Sequence, residues 1–256
     1  MTESAARNRI SRWFITDAEA NGLRSGLGGV DRRIAFALVY TAVVLLLEEY
    51  FFSFTAVRRH GWMAGLDPGN QELAVGLAWV ASLLVFYAAI PAIVVRVFHG
   101  ERLASIGWDA RGLVRHLRAY LPLYVLVLPL LWFASQRADF TRTYPFVASA
   151  RTGAATFLVW ECAYAISFFA LEAFFRGYLL FTLATRMGWL GVFVMVVPYT
   201  MIHFHKPWPE CLGAVVAGLA LGTLALAFRS FWGRVVLHAL VAVTMDTLAV
   251  NRAGLF

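Results

Sequence analysis

The chain has 256 residues, of which 61% are hydrophobic and only 14% charged, with a formal net charge of +7. Soluble domains carry about a quarter charged residues, so this composition excludes an ordinary water-soluble domain. The positive balance does not point to nucleic acid: lysine is nearly absent, and the arginines lie between apolar runs rather than in one patch, as in integral membrane proteins.

In chain order, residues 1–33 are polar and arginine-rich with no early apolar core, so no cleavable signal peptide is expected. The stretch "RISRWFITDAEANGLRSGLGG" is expected to lie on the inner membrane surface, with Trp13, Phe14 and Ile15 dipping into it. A bilayer core needs roughly 20 apolar residues in a helix. Seven runs are candidates: 34–57, 73–98, 117–135, 156–183, 189–205, 211–228 and 232–250, the fifth being the shortest. "GLDPGN" and "KPWP" are turn-rich breaks between them. "GERLASIGWDARGLVRHLR" reads as a second surface helix. No internal repeat is visible, so 34–256 is expected to be a single transmembrane domain. The fold expected is all-α: a polytopic membrane helix bundle of about seven transmembrane helices with amphipathic surface helices. Cys162 and Cys211 have no CxxC partner and no zinc-like spacing, and read as small core residues.

With the N-terminus inside, fourteen of the 22 lysines and arginines fall in inner segments and seven in outer ones, Arg176 lying within a span. The positive-inside rule then places the N-terminus in the cytoplasm and the C-terminus outside, in a membrane of the bacterial inner or plasma type.

Charge inside a span costs at least about 2.5–3.5 kcal/mol per group on insertion scales, so such residues are paired or functional. Those here are Glu161, Glu172, Arg176, His203, His238 and Asp246, with His205 and Glu210 at a span edge and Glu48 and Glu49 deep in the first run. Glu172 and Arg176 are four apart and can meet on one helix face. Glu172 and His203 each lie about fifteen residues from the turn near Met187 and Gly188, so at 1.5 Å rise both stand roughly 22 Å from it, at one level. Asp246 reaches a similar height from the next turn near Phe231, whereas His238 stops near 10 Å and joins only if the hairpins are offset. A carboxylate with imidazoles at one depth can activate water, hold an oxyanion or bind a metal.

Three motifs in order give these residues a wider meaning. "LEAFFRG" carries Glu172, Arg176 and Gly177; "YTMIH" runs from Tyr199 to His203; "HALVA" runs from His238 to Ala242. They resemble the Glu-Glu-x-x-x-Arg, Phe-x-x-x-His and His-x-x-x-Asn/Asp motifs of the CPBP family, the intramembrane CAAX-type prenyl and bacteriocin-processing proteases. The likeness covers the core, 156–250. Leu171 stands in place of the first glutamate, Tyr199 in place of Phe, and Ala242 in place of Asn or Asp, with Asp246 one turn further on. "EEYFF" offers a double glutamate at Glu48 and Glu49, but Ser53 stands where the arginine is required, so it is set aside. His60, His99 and His116 fall in loops and are expected to be solvated.

The resemblance implies an intramembrane endopeptidase acting on a membrane-anchored protein or peptide near its terminus. Glu172 would activate water, Arg176 would fix Glu172, and His203 and His238 would hold the water or the oxyanion. Glu161, Tyr199, His205 and Asp246 are accessory candidates. Two variants stay open: a metal-free glutamic protease, and a zinc enzyme with Glu172, His203 and His238 as ligands. The pairing of Glu172 with Arg176 favours the first. The departures at Leu171 and Ala242 motivate a rival, an inactive binding or immunity scaffold, and intramembrane charge alone would suit a small transporter. The lipid bilayer and the substrate are the expected partners, with no nucleic acid. Oligomeric state is not legible.

Overall fold

The computed structural model describes residues 31–254. The expected surface stretch around Trp13, Phe14 and Ile15 lies outside the described residues. All regular structure among the described residues is helical. Six helices are long and apolar enough to cross a membrane: α1 (Arg32–Phe52), α3 (Pro68–Phe98), α4 (Leu113–Ala134), α6 (Ala154–Met187), α8 (Trp208–Phe228) and α9 (Trp232–Arg252). Three shorter ones complete the set: α2 (Phe54–His60), α5 (Ala138–Thr143) and α7 (Leu190–Met201). The chain is an integral membrane helix bundle.

Three expectations are corrected. The fifth run, 189–205, yields only the twelve-residue α7, about 18 Å of helix against a core of about 30 Å. Beyond Met201 the chain turns through 202–207 before α8 begins. The first run stops at Phe52 rather than residue 57: Ser53 is extended, with ψ 156°, and its side chain accepts from the Ala56 N–H to start α2. The expected surface helix at 100–118 is a single 3₁₀ turn, Leu103–Ile106, and a loop. Gly107 and Gly112 there hold φ at +82° and +79°, which no helix residue adopts, and Leu113 begins α4 directly. His116 consequently lies within α4, buried and stacked on Phe228 at 4.6 Å, instead of in solvated loop.

α6 is the central helix. Every residue from Glu172 to Leu180 is buried. Phe174, Phe175, Tyr178 and Leu179 pack among Ala37 and Val44 of α1, Tyr87 of α3, and Met195 and Tyr199 of α7. Over this stretch the helix is buried on all sides, and its charged residues are Glu172 and Arg176. Between α7 and α8 the packing is backbone-close. A Cβ on Gly218 would meet Val196 Cγ2 at 2.9 Å, and one on Gly222 would meet Val192 Cγ1 at 2.8 Å. Ala214, Gly218, Gly222 and Ala225 form the buried stripe that permits this approach. At one end of the bundle, Asp31 accepts from the Arg33 and Ile34 amides and from Arg186 Nε at 2.9 Å, tying the start of α1 to the end of α6.

The helices widen to π turns at Glu48–Phe52, Leu84–Ala89, Val94–Phe98 and Ala173–Leu179. Such turns re-aim side chains and concentrate at functional sites. Glu48 and Glu49 of the first and Tyr87 of the second line the cavity described next, and the last begins one residue beyond Glu172.

Candidate active site

Glu172 ends the α-helical part of α6 and is fully buried. Its Oε1 accepts from Arg176 Nη1 at 3.2 Å and lies 3.1 Å from His238 Nδ1; its Oε2 accepts from Arg234 Nε at 3.0 Å. Arg176 and Arg234 are equally buried. The second arginine is the residue that sequence reading missed. Counted there as an inner flanking charge, it lies inside the bundle, which trims the inner tally by one without changing its sign. The available signal was its position four residues before His238, on the same face of α9. Its Nη1 also donates to the Leu221 carbonyl on α8. One carboxylate thus holds together α6 and α9, two guanidiniums and an imidazole.

Tyr199 links this cluster to the second histidine. The Arg176 guanidinium lies 3.6 Å from the centre of the Tyr199 ring. The carbonyl of the same residue is 2.9 Å from His203 Nδ1, and because a carbonyl only accepts, Nδ1 carries the proton. Cys211 braces the turn from α8, its thiol donating to the His203 carbonyl at 2.8 Å. On the other side Phe168 stacks on the His238 ring at 4.2 Å. Both imidazoles therefore have Nδ1 committed and the ring fixed, which leaves Nε2 of each outside these contacts.

The two histidines, on different elements, line one cavity of about 340 Å³. Leu171, Tyr164, Ser167 and Phe168 of α6 share its wall, as do His205 and Lys206 from the turn before α8, and Glu48 and Glu49 of α1. Glu172 is not on that wall; it stands behind His238.

Residues 153–244 match the family described as Type II CAAX prenyl endopeptidase Rce1-like. The match runs from the residue before α6 into α9 and is consistent with a CPBP family member. No curated protein and no solved structure matches the chain.

Within the Rce1-like region the three motifs converge as their order suggests, but heights differ from the hairpin arithmetic. His238, not Asp246, reaches Glu172. Asp246 lies two turns further along α9, buried, where it accepts from Trp160 Nε1 at 2.9 Å beside the buried Glu161. The reason is the offset of the antiparallel α6 and α9, which pairs Glu172 with His238 and Trp160 with Asp246. His205 has a largely exposed side chain at the rim, 3.7 Å from Glu49. Glu210 pairs with Lys206 at 2.8 Å and accepts from Tyr144. Ala242, at the third-motif Asn/Asp position, is plain packing against Trp160 and Phe168. The three side chains offered to zinc do not form a ligand set here. Glu172 is already held by two guanidiniums whose charge opposes a dication, and among the described residues no group of three His, Cys, Asp or Glu side chains is arranged to hold a metal.

Proposed function

We propose that this protein is an intramembrane endopeptidase of the CAAX-protease type, cleaving a membrane-anchored protein or peptide near its terminus. The observation that carries this reading is the pair of imidazoles, His203 and His238, presented to one cavity from separate elements with each Nδ1 already occupied. In such a cavity Nε2 of His203, its Nδ1 carrying the proton, accepts from the attacking water, and His238, held as an imidazolium by Glu172, donates from Nε2 to the oxyanion of the tetrahedral intermediate, in surroundings where fixed dipoles act strongly. Glu172 and Arg234 orient His238, and Arg176 with Tyr199 orients His203. These are positioning roles, since none of the four polar heads needs to touch substrate. The sequence alone assigned the water to Glu172; its burial among cations favours the supporting role. No step is routed through a metal. The rival, an inactive scaffold, is favoured by one observation, the apolar Leu171 on the cavity wall.

The test is cleavage of an internally quenched peptide ending in a farnesylated CAAX sequence, with the protein reconstituted in liposomes. Wild-type protein releases fluorescence, and His203→Ala and His238→Ala each lower the rate by roughly 10²-fold or more. Cleavage that survives His238→Ala at the wild-type rate overturns the mechanism. A wild type that is folded and silent returns the protein to the scaffold reading.

A further inference from the structure

The cavity contains a carboxylate that none of the family motifs supplies. Glu48 begins the π turn that ends α1, is only 8% exposed, and lines the same wall as His203, His238 and Leu171. Ser82 Oγ of α3 contacts its Oε2 at 3.2 Å, and its Oε1 is buried with no protein partner. A buried carboxylate oxygen without a donor is costly and persists where a water or substrate hydrogen completes it. Its neighbour Glu49 has a side chain 59% exposed and faces His205 at the rim. Glu172 is shut behind His238, with no exposed surface and both oxygens held.

From this arrangement we infer that Glu48, delivered by the first transmembrane helix, is the general base that activates water in the cavity. The assignment rests on the endopeptidase reading above. The step balances with no further reactant. The Glu48 carboxylate takes one proton from water as the water oxygen bonds to the scissile carbonyl carbon. The carbonyl π electrons move onto oxygen, where the Nε2–H of the His238 imidazolium stabilises them. Collapse re-forms the C=O bond and breaks the C–N bond, and the proton held on Glu48 passes to the leaving amine. One water is consumed, giving a carboxylic acid and an amine, and Glu48 is again a carboxylate. The base thus lies outside 153–244, the matched region, on a helix that a motif search confined to that region does not reach.

The experiment uses the full chain in liposomes with the same farnesylated peptide. Glu48→Gln keeps the shape and the Ser82 contact, and is expected to lower the rate roughly 10²–10⁴-fold, the usual contribution of a general base. Adding Leu171→Glu to Glu48→Gln places a carboxylate on the same cavity wall from α6 and is expected to restore measurable cleavage, which a merely structural role of Glu48 would not produce. Full activity in Glu48→Gln beside a silent His238→Ala overturns this assignment and leaves the endopeptidase reading standing. Activity in Glu48→Gln with loss in Glu49→Gln overturns it in favour of the neighbour. A silent wild type removes both readings. If Glu48→Gln yields no folded protein, Glu48→Asp decides: a slowed rate supports the base, and an unchanged rate overturns it.

Discussion

Nδ1 of His238 lies 3.1 Å from Oε1 of Glu172, across the antiparallel contact between α9 and α6. The imidazole lines the cavity and the carboxylate does not, so the most conspicuous acid of the sequence stands behind the histidine. Two guanidiniums share that carboxylate, which makes the buried cluster electrostatically unequal: one anion serves two cations.

That inequality orders the effects of mutation. Glu172→Gln strands Arg176 and Arg234 together and should be the most damaging change, on the order of the 3–5 kcal/mol that follows loss of one partner from a buried pair. Arg234→Gln leaves a balanced Glu172–Arg176 pair and should be the mildest. The double change Glu172→Gln with Arg176→Gln leaves one cation and should fall between. Apparent Tm and yield in detergent measure the order; equal losses for Glu172→Gln and Arg234→Gln would show that the cluster does not act through charge balance.

Packing of α7 on α8 fixes where His203 stands. Gly218→Leu would drive a side chain into Val196 and Tyr199, and overpacking of this kind costs about 1–3 kcal/mol. Gly213→Leu, on the same helix with open space at its Cβ, should leave Tm nearly unchanged. Because Tyr199 carries both the Arg176 contact and the His203 hydrogen bond, Gly218→Leu should also slow cleavage beyond its effect on folding. An unaltered rate in a destabilised Gly218→Leu protein would separate the helix contact from the site.

Chelation tests the donor set. With Glu172 enclosed by cations, dialysis against EDTA or 1,10-phenanthroline should leave the rate of peptide cleavage unchanged. Loss of activity that returns on adding zinc would restore Glu172, His203 and His238 as ligands and remove the supporting role given to Glu172.

Membrane orientation follows from the arginine asymmetry of the chain. Six spanning helices are an even number and leave the two termini on one side of the membrane, whereas a seventh pass through the short α7 would separate them. With the arginine-rich residues 1–33 inside, a reporter enzyme fused after Phe256 should be active in the cytoplasm. Activity outside would mean that α7 and the turn at 202–207 complete a crossing, as the seven-run reading of the sequence expects.

What the sequence by itself determined was everything governed by local composition. Apolar length set six of the helices, since a bilayer selects for it directly, and the i, i+4 spacing placed Arg176 against Glu172. The short α7 escaped because hydropathy does not register the turn after Met201 that ends it. Tertiary structure alone decided the rest. Whether His238 or Asp246 stands level with Glu172 depends on the offset of α6 against α9, which no residue count within one helix contains. Arg234 became a site residue only when α9 turned it inward, and Glu48 met the histidines only because α1 packs beside α6 and ends in a π turn at that depth. Side chains more than a hundred residues apart are brought to one cavity by helix packing, and packing is a property of surfaces in three dimensions rather than of spacing along the chain.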